Sequence, residues 1–217
     1  KTHKSLLANA SHELRSPPTR IRMGLELMGG NQPSPAFREE ILRNIAELDQ
    51  LVDEILLASR LDAREADVGT VELVDLIGLA AEECARVDAE LDVTAVPEGL
   101  EVRGVAKLLR RALRNLLENA RRYSQGDITV VLQRHDGQAQ LSVLDRGPGV
   151  PPALRERIFE PFYRLPGASE RAGGVGLGLA LVRSIAQRHN GSVRCEDQPD
   201  GSGGACFVLR LPLALTK

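Results

Sequence analysis

Ala10-Ser-His-Glu-Leu-Arg-Ser-Pro-Pro-Thr-Arg-Ile21 is the stretch from which the rest of this 217-residue chain can be read. Set in heptads with Leu7 at position a, the chain places Leu7, Ala10, Leu14, Pro17, Ile21, Gly24 and Met28 at the a and d positions. That is a mostly apolar seam with the period of a packed bundle helix. His12 then falls at f, opposite the seam and toward solvent. Glu13 follows it directly, and Ser16 lies one turn on along the same face. Pro17 and Pro18 withhold two amide hydrogens, so the carbonyls of Glu13 and Leu14 lose their partners and the helix is expected to bend just past the histidine. An exposed imidazole, a carboxylate, a hydroxyl and a kink form a combination that core packing does not require. His12 is therefore the candidate reactive group.

Working outward, the first helix is expected from about residue 4 to Met28, and Gly29-Gly-Asn-Gln-Pro-Ser-Pro35 is a dense cluster of helix breakers that reads as a tight connection. A second helix is expected from about Ala36 to Arg64. Its Ile41, Ile45, Leu48, Val52 and Ile55 recur at alternating spacings of four and three in one stripe, widened by Leu51, Leu56 and Leu61. Two antiparallel helices cannot bury both stripes alone. Two copies forming a four-helix bundle can, so the expectation is a homodimer; the alternative is a hairpin packed on a second domain. Residues 62–70 are polar and read as a linker, which divides the chain into a helical hairpin, residues 1–64, and a second domain, residues 65–217.

Beyond the linker the pattern changes. Val71–Val74 reads as a short strand, and Asp75–Glu90 as a helix. Leu91–Val96 and Leu100–Val105 read as strands joined by a Pro-Glu-Gly turn, and Ala106–Tyr123 as a helix. Asp127–Arg134 and Gln138–Asp145 alternate in period 2 around His135-Asp-Gly137, a hairpin signal. Gly176–His189 reads as a helix, and Ser192–Asp197 with Ala205–Leu213 as a second hairpin. The fold class is α+β: the helical hairpin and its dimeric bundle, then an α/β sandwich with a mixed sheet carrying helices on one face.

Bulk composition narrows the function. Hydrophobic content of 42% and charged content of 27% are those of a soluble globular protein, and a net charge of −2 gives no reason to invoke nucleic acid or an anionic membrane surface. Aromatic residues are 3% with no Trp, against aromatic stacking platforms. Cys84, Cys195 and Cys206 are scattered without metal-ligand spacing and read as buried, reduced thiols. No run approaches the ~18 apolar residues of a membrane helix. The chain opens at Lys1, without Met, and reads as a piece of something longer.

Four clusters in the second domain carry chemistry. Asn115 and Asn119 sit at i and i+4 on one helix face, with Arg122 and Tyr123 one turn on. Asparagines are poor mid-helix residues, and amide oxygens suit a hard cation such as Mg²⁺ that also holds phosphates; the plain alternative is a solvated polar face. Asp145-Arg-Gly147-Pro-Gly149 follows a strand. Its glycines allow close backbone approach, and its carboxylate can accept from an exocyclic amine; a simple turn explains the glycines equally well. Ile158-Phe-Glu-Pro-Phe-Tyr-Arg-Leu165 holds half of the chain's Phe residues and precedes a polar stretch, Pro166–Ala172, with the composition of a lid. Gly173-Gly-Val-Gly-Leu-Gly-Leu-Ala180 runs into a helix whose first amides can hold phosphate. It follows no strand of a βαβ unit, which argues against a dinucleotide fingerprint, and no Gly-Lys-Ser/Thr is present, which excludes a P-loop.

The first stretch resembles the H-box of sensor histidine kinases, Ser-His-Glu-Leu-Arg-Ser/Thr-Pro-Leu-Thr, through Ser11, His12, Glu13, Leu14, Arg15, Ser16, Pro17 and Thr19; Pro18 stands where the family has leucine. The four later clusters resemble, in order and spacing, the N, G1, F and G2 boxes of the same family's catalytic domain. The resemblance implies an ATP-binding fold of the kind shared with Hsp90, MutL and gyrase. It implies Mg²⁺ and phosphate at Asn115 and Asn119, phosphate at Arg122, and Tyr123 flanking the nucleotide. It places the adenine amine on Asp145 in a pocket shaped by Gly147 and Gly149, with Gly174, Gly176 and Gly178 framing lid and phosphates. His12 would be phosphorylated from ATP with Glu13 as its base, and the phosphoryl group would pass to an aspartate on the receiver domain of a response regulator. Ser16 stands where the family often carries Thr or Asn for phosphatase action on that regulator. The resemblance further implies a cytoplasmic fragment without membrane contact, cut from a sensor anchored in the bacterial inner membrane. The rivals are an ATPase of the Hsp90, MutL or gyrase kind, which typically carries Glu where Asn115 stands, and a dimeric signalling scaffold with an inactive ATP site.

Overall fold

A computed structural model describes residues 20–21, 23–24, 34–64, 68–167 and 176–214. The chain divides into two compact units, Lys1–Ser59 and Arg60–Lys217.

In the first unit, helix α1 spans Pro35–Asp62. It starts at Ser34, whose Oγ accepts from the Phe37 amide at 3.3 Å. Residues 20–21 and 23–24 are helical. Gly24, placed at a seam position by the heptads, is buried, and a Cβ on it would lie 2.5 Å from the Phe37 ring. Arg20 reaches Glu47 at 3.6 Å. Early residues of one helix thus face later residues of the other, the sense of an antiparallel hairpin. The bend expected past His12 lies outside the described residues. The single stripe expected on α1 is two. Leu51 is buried and Ile41, Leu48 and Ile55 are half-buried, whereas Leu42, Ile45, Val52 and Leu56 stay exposed at 58%, 42%, 40% and 57%. A 3.6-residue period sweeps apolar residues across two adjacent faces of so long a helix. The helix stops two residues short of the expected end, with Arg64 in the left-handed region at φ 52°.

The second unit begins with β1 (Glu72–Asp75) and α2 (Leu76–Arg86), joined by Asp75, whose side chain accepts from the Ile77 amide at 3.0 Å as an N-cap. The helix expected to reach Glu90 ends four residues earlier. Asp88 turns left-handed at φ 54° and Ala89 N–H closes on the Cys84 carbonyl at 3.0 Å, an αL stop made without glycine. Glu90 instead opens β2 (Glu90–Asp92). That strand is cut short because Asp92 Oδ1 takes both the amide and the hydroxyl of Thr94, at 3.0 and 2.7 Å. β3 (Glu101–Gly104) is not the partner of β2. It pairs antiparallel with β1 in a two-stranded sheet, and β2 runs parallel to β4. The Pro97-Glu-Gly99 turn carries the chain between sheets; it closes no hairpin.

Helix α3 spans Ala106–Tyr123, as the periodicity predicts. β4 (Thr129–His135) and β5 (Gln138–Leu144) form the expected hairpin. Its two-residue loop, Asp136-Gly137, has φ of 48° and 73°, the positive pair that matches strand twist. Two 3₁₀ turns, Pro152–Leu154 and Arg157–Phe159, precede α4 (Gly178–Arg188), β6 (Ser192–Asp197) and β7 (Ala205–Pro212). The main sheet has the order β2-β4-β5-β7-β6, antiparallel except for β2. Its register sorts the faces. Val130, Val143, Phe207 and Cys195 line up in one row, and Leu132, Leu141, Leu209 and Val193 in the next; all are buried. The opposite face carries the row Gln133, Gln140, Arg210 and Ser192, with Arg210 Nε donating to Gln140 Oε1 at 2.9 Å. The apolar rows share the core with Leu108, Leu113 and Leu116 of α3 and Leu181, Val182 and Ile185 of α4. The three cysteines are free and buried. Burial is the main cause pushing their thiols up, to about 11 for Cys84 and Cys206 and about 12 for Cys195. No described helix is long and apolar enough to cross a membrane.

Candidate nucleotide site

Helix α3 is held from two sides. On one flank Arg114 grips buried Glu83 of α2 through two nitrogens, at 3.0 and 2.9 Å, and Arg110 joins at 3.2 Å. Arg114, followed by Arg110, holds the Glu83 carboxyl below the usual carboxylate range, while burial opposes them. On the other flank Asn115, 5% exposed, donates through Nδ2 to the Gly178 carbonyl at 3.2 Å. That bond ties the middle of α3 to the first residue of α4. With Nδ2 on a carbonyl, Oδ1 is the end of the amide left for a ligand. Asn119, half-buried, is one turn on; Tyr123 is half-buried and Arg122 exposed.

The Asp145 turn abuts the end of α3. A Cβ at Gly147 would lie 2.6 Å from the Tyr123 carbonyl oxygen, so only glycine fits there. Asp145, 3% exposed, extends the β5–β7 ladder by donating its amide to the Ala205 carbonyl at 3.0 Å. Its Oδ1 accepts from Gly147 N–H at 2.9 Å and Ala205 N–H at 3.1 Å. One carboxylate oxygen therefore builds the turn, and Oδ2 takes no hydrogen bond among the described residues. Gly149, at φ +74°, packs on Gly204.

Phe159 is buried and meets Phe207 edge-on at 6.2 Å between ring centres. Phe162 is left-handed at φ 64° and donates its amide to the Gly176 carbonyl at 2.9 Å. Gly176, at φ +78°, would place a Cβ 2.9 Å from the Phe162 carbonyl carbon. The chain therefore leaves at Phe162 and returns at Gly176 through one pinned point. Gly178 has no such requirement: the nearest atom to a Cβ there is Asn115 Nδ2 at 3.8 Å, an ordinary contact. His12, Glu13, Ser16 and Gly174, and residues 168–172 of the expected lid, lie outside the described residues.

Three further side chains support the site and carry no sequence signal of their own. Ser124 Oγ accepts from Arg146 N–H at 3.2 Å and Gly126 N–H at 3.3 Å. Gln198 donates to the Asp145 carbonyl at 2.6 Å. His189 fixes the start of α3: Nε2 accepts from Val105 N–H at 3.0 Å and Nδ1 donates to the Ile185 carbonyl at 2.8 Å. The paired glycines Gly203-Gly204 were the one readable hint, since adjacent glycines in a hairpin loop mark close backbone approach.

Residues 2–64 match the family model of the His Kinase A (phospho-acceptor) domain. Residues 104–215 match that of the histidine kinase-, DNA gyrase B-, and HSP90-like ATPases. The chain belongs to the sensor histidine kinases. The match to the ATPase model falls within the second unit, and the match to the phospho-acceptor model precedes it along the chain. The chain is similar to the sensor histidine kinase CpxA of Escherichia coli (strain K12), with 36% identity over 98% of this chain and 47% of the relative. It is equally similar, at 36% over 95% of this chain and 43% of the relative, to the signal transduction histidine-protein kinase/phosphatase MprB of Mycobacterium sp. (strain KMS). It spans about half the length of these curated relatives. Among solved structures, the mycobacterial sensor histidine kinase MprB aligns with a TM-score of 0.58 and 32% identity over 68% of this chain and 100% of that one. Two more share the fold. The Acinetobacter baumannii histidine kinase AdeS has a TM-score of 0.76 at 22% identity over 94% of this chain and 98% of that one. The histidine kinase ThkA, solved in complex with the response regulator protein TrrA, has a TM-score of 0.73 at 23% identity over 97% of this chain and 61% of that one.

Proposed function

We propose that the protein to which this chain belongs is an ATP-dependent protein-histidine kinase that phosphorylates His12 and passes the phosphoryl group to an aspartate on a response regulator receiver domain. The observation that carries the reading is the junction of α3 with the Asp145 turn. There the Tyr123 end of the helix abuts Gly147, and Asp145 is a buried carboxylate whose Oδ2 takes no hydrogen bond among the described residues. Asp145 Oδ2 accepts from the adenine amine, and Gly147 and Gly149 let the backbone approach the base. Tyr123 flanks the base, Arg122 meets phosphate, and Gly174, Gly176 and Gly178 frame the phosphates.

Among the described residues no group of three or more His, Cys, Asp or Glu side chains could hold a metal. A cation at this site would take the amide oxygens of Asn115 and Asn119 together with phosphate oxygens, a donor set that suits Mg²⁺. Held there, Mg²⁺ would supply positive charge that offsets the phosphate oxygens. In the chemical step a neutral His12 nitrogen forms a bond to the γ-phosphorus while the bond from that phosphorus to the bridging oxygen breaks and ADP leaves. Glu13 takes the proton from the other ring nitrogen. Residues 1–64 then form the phosphotransfer hairpin and residues 65–217 the catalytic domain. The exposed stripe of Leu42, Ile45, Val52 and Leu56 is the seam of a homodimeric four-helix bundle. The Ser16 hydroxyl, with a relative named as a kinase/phosphatase, extends the reading to dephosphorylation of the regulator. The parent is a membrane-anchored sensor with this part in the cytoplasm.

Incubation with γ-labelled ATP and Mg²⁺ tests the reading. Acid-labile, base-stable label is expected on the wild type and absent from His12→Gln and Asn119→Ala. Label persisting on His12→Gln refutes the acceptor, and recovery of label on mixing the two variants shows transfer across the dimer.

A further inference from the structure

Asp145 is held by more than its own turn. Its amide and its Oδ1 are both bonded to Ala205, and the next amide, Arg146 N–H, donates to Ser124 Oγ. Its carbonyl oxygen accepts from Gln198 Nε2 at 2.6 Å, across 53 residues of chain. Gln198 is 6% exposed and sits just past the end of β6. A Cβ on Gly204 would lie 2.1 Å from the same carbonyl oxygen, so the β6–β7 loop backbone packs directly against it.

The carbonyl matters because of what hangs on it. Oδ1 is anchored by Gly147 N–H, two residues down the chain. Rotation of the Asp145–Arg146 peptide swings that anchor, and with it the direction of Oδ2. A carboxylate that reads an amine must point along the N–H to within roughly 10–20°. A buried carbonyl stripped of its donor has a strong drive to turn toward another one.

We propose that Gln198 is a positioning residue for base recognition. By donating to the Asp145 carbonyl it aims the Asp145 carboxylate and so sets the preference for adenine over a base that carries oxygen in place of the amine. The inference rests on the reading of Asp145 as the acceptor for the adenine amine.

The test is calorimetric binding of ATP and of ITP, with Mg²⁺, to the full chain, which needs no turnover. Gln198→Met keeps the volume and removes the donor; Gln198→Asn keeps the amide on a shorter arm and serves if the Met variant does not fold. In either variant the ATP affinity falls about tenfold, the scale of one buried hydrogen bond, while ITP affinity stays within about twofold. The ATP/ITP ratio collapses accordingly. Asp145→Asn separates the two levels of the argument. Weak ATP binding by Asp145→Asn together with wild-type binding by the Gln198 variants overturns the positioning role and leaves the adenine reading intact. Wild-type ATP binding by Asp145→Asn overturns both. Glu83→Gln, which loosens α3 from its far side, is expected to keep the ATP/ITP ratio. Equal loss of ATP and ITP in the Gln198 variants overturns the proposal, because it would mean that Gln198 only stabilises the loop.

Discussion

Replacing Glu83 by Gln removes the buried carboxylate that fastens α2 to α3. Glu83 is 2% exposed, and its side chain faces Arg114 at 3.0 and 2.9 Å, Arg110 at 3.2 Å and Arg86 at 3.9 Å. Deleting one partner of a fully buried ion pair costs about 3–5 kcal/mol because the other charge is stranded. Here the arginines are not fully buried: the side chains of Arg114 and Arg110 are 30% and 36% exposed, so water solvates them once the carboxylate is gone. The loss is then about 1.5–3 kcal/mol. In a unit of this size that lowers the melting temperature by about 4–10 °C. Differential scanning calorimetry of wild type and Glu83→Gln at neutral pH measures it. The acid side supplies a sign. Arg114 and Arg110 hold the Glu83 carboxyl below its ordinary 4.5, so its contribution is complete above that value and disappears as pH falls through the lowered one. The gap between wild type and variant should be flat above about pH 5 and narrow below it. A variant that melts within about 1 °C of wild type, or a gap unchanged in acid, refutes the account of how α3 is held.

Gly147→Ala would push a Cβ to 2.6 Å from the Tyr123 carbonyl oxygen and 3.2 Å from Asp145 Oδ1; ATP affinity should drop at least about tenfold with circular dichroism unchanged, as expected for a local backbone clash. His189 is held below its ordinary 6.5 mainly by burial, with the Ile185 carbonyl opposing and Arg188 adding. The unfolded chain therefore takes up the proton first, and stability should fall as pH drops below 6.5 toward the lowered value. His189→Gln, which keeps an acceptor for Val105 N–H, should flatten that slope in melts between about pH 5 and 7. Ile45→Glu with Val52→Glu places carboxylates in the exposed apolar stripe of α1 and should weaken self-association by at least about a hundredfold in sedimentation; an unaltered dimer would place the seam elsewhere.

What the sequence carried on its own was local. The ends of α3 at Ala106 and Tyr123 and the β4–β5 hairpin at Asp136-Gly137 follow from periodicity and turn chemistry. These depend on neighbours within a turn or two of the same segment. The site residues were legible as types: amides at i and i+4, a carboxylate at a strand end, glycines before a helix. The tertiary structure decided the rest. It stopped α2 at a left-handed Asp88, separated β3 from β2, split the apolar stripe of α1 into a packed and an exposed face, and set Gln198 on the Asp145 carbonyl. Alternation along a strand says which side is buried but is silent on which strand lies next to it. A single amide that satisfies a carbonyl 53 residues away has no period at all. Such bonds are settled only after the core has packed, when each buried donor and acceptor must find a partner among the groups that happen to be near.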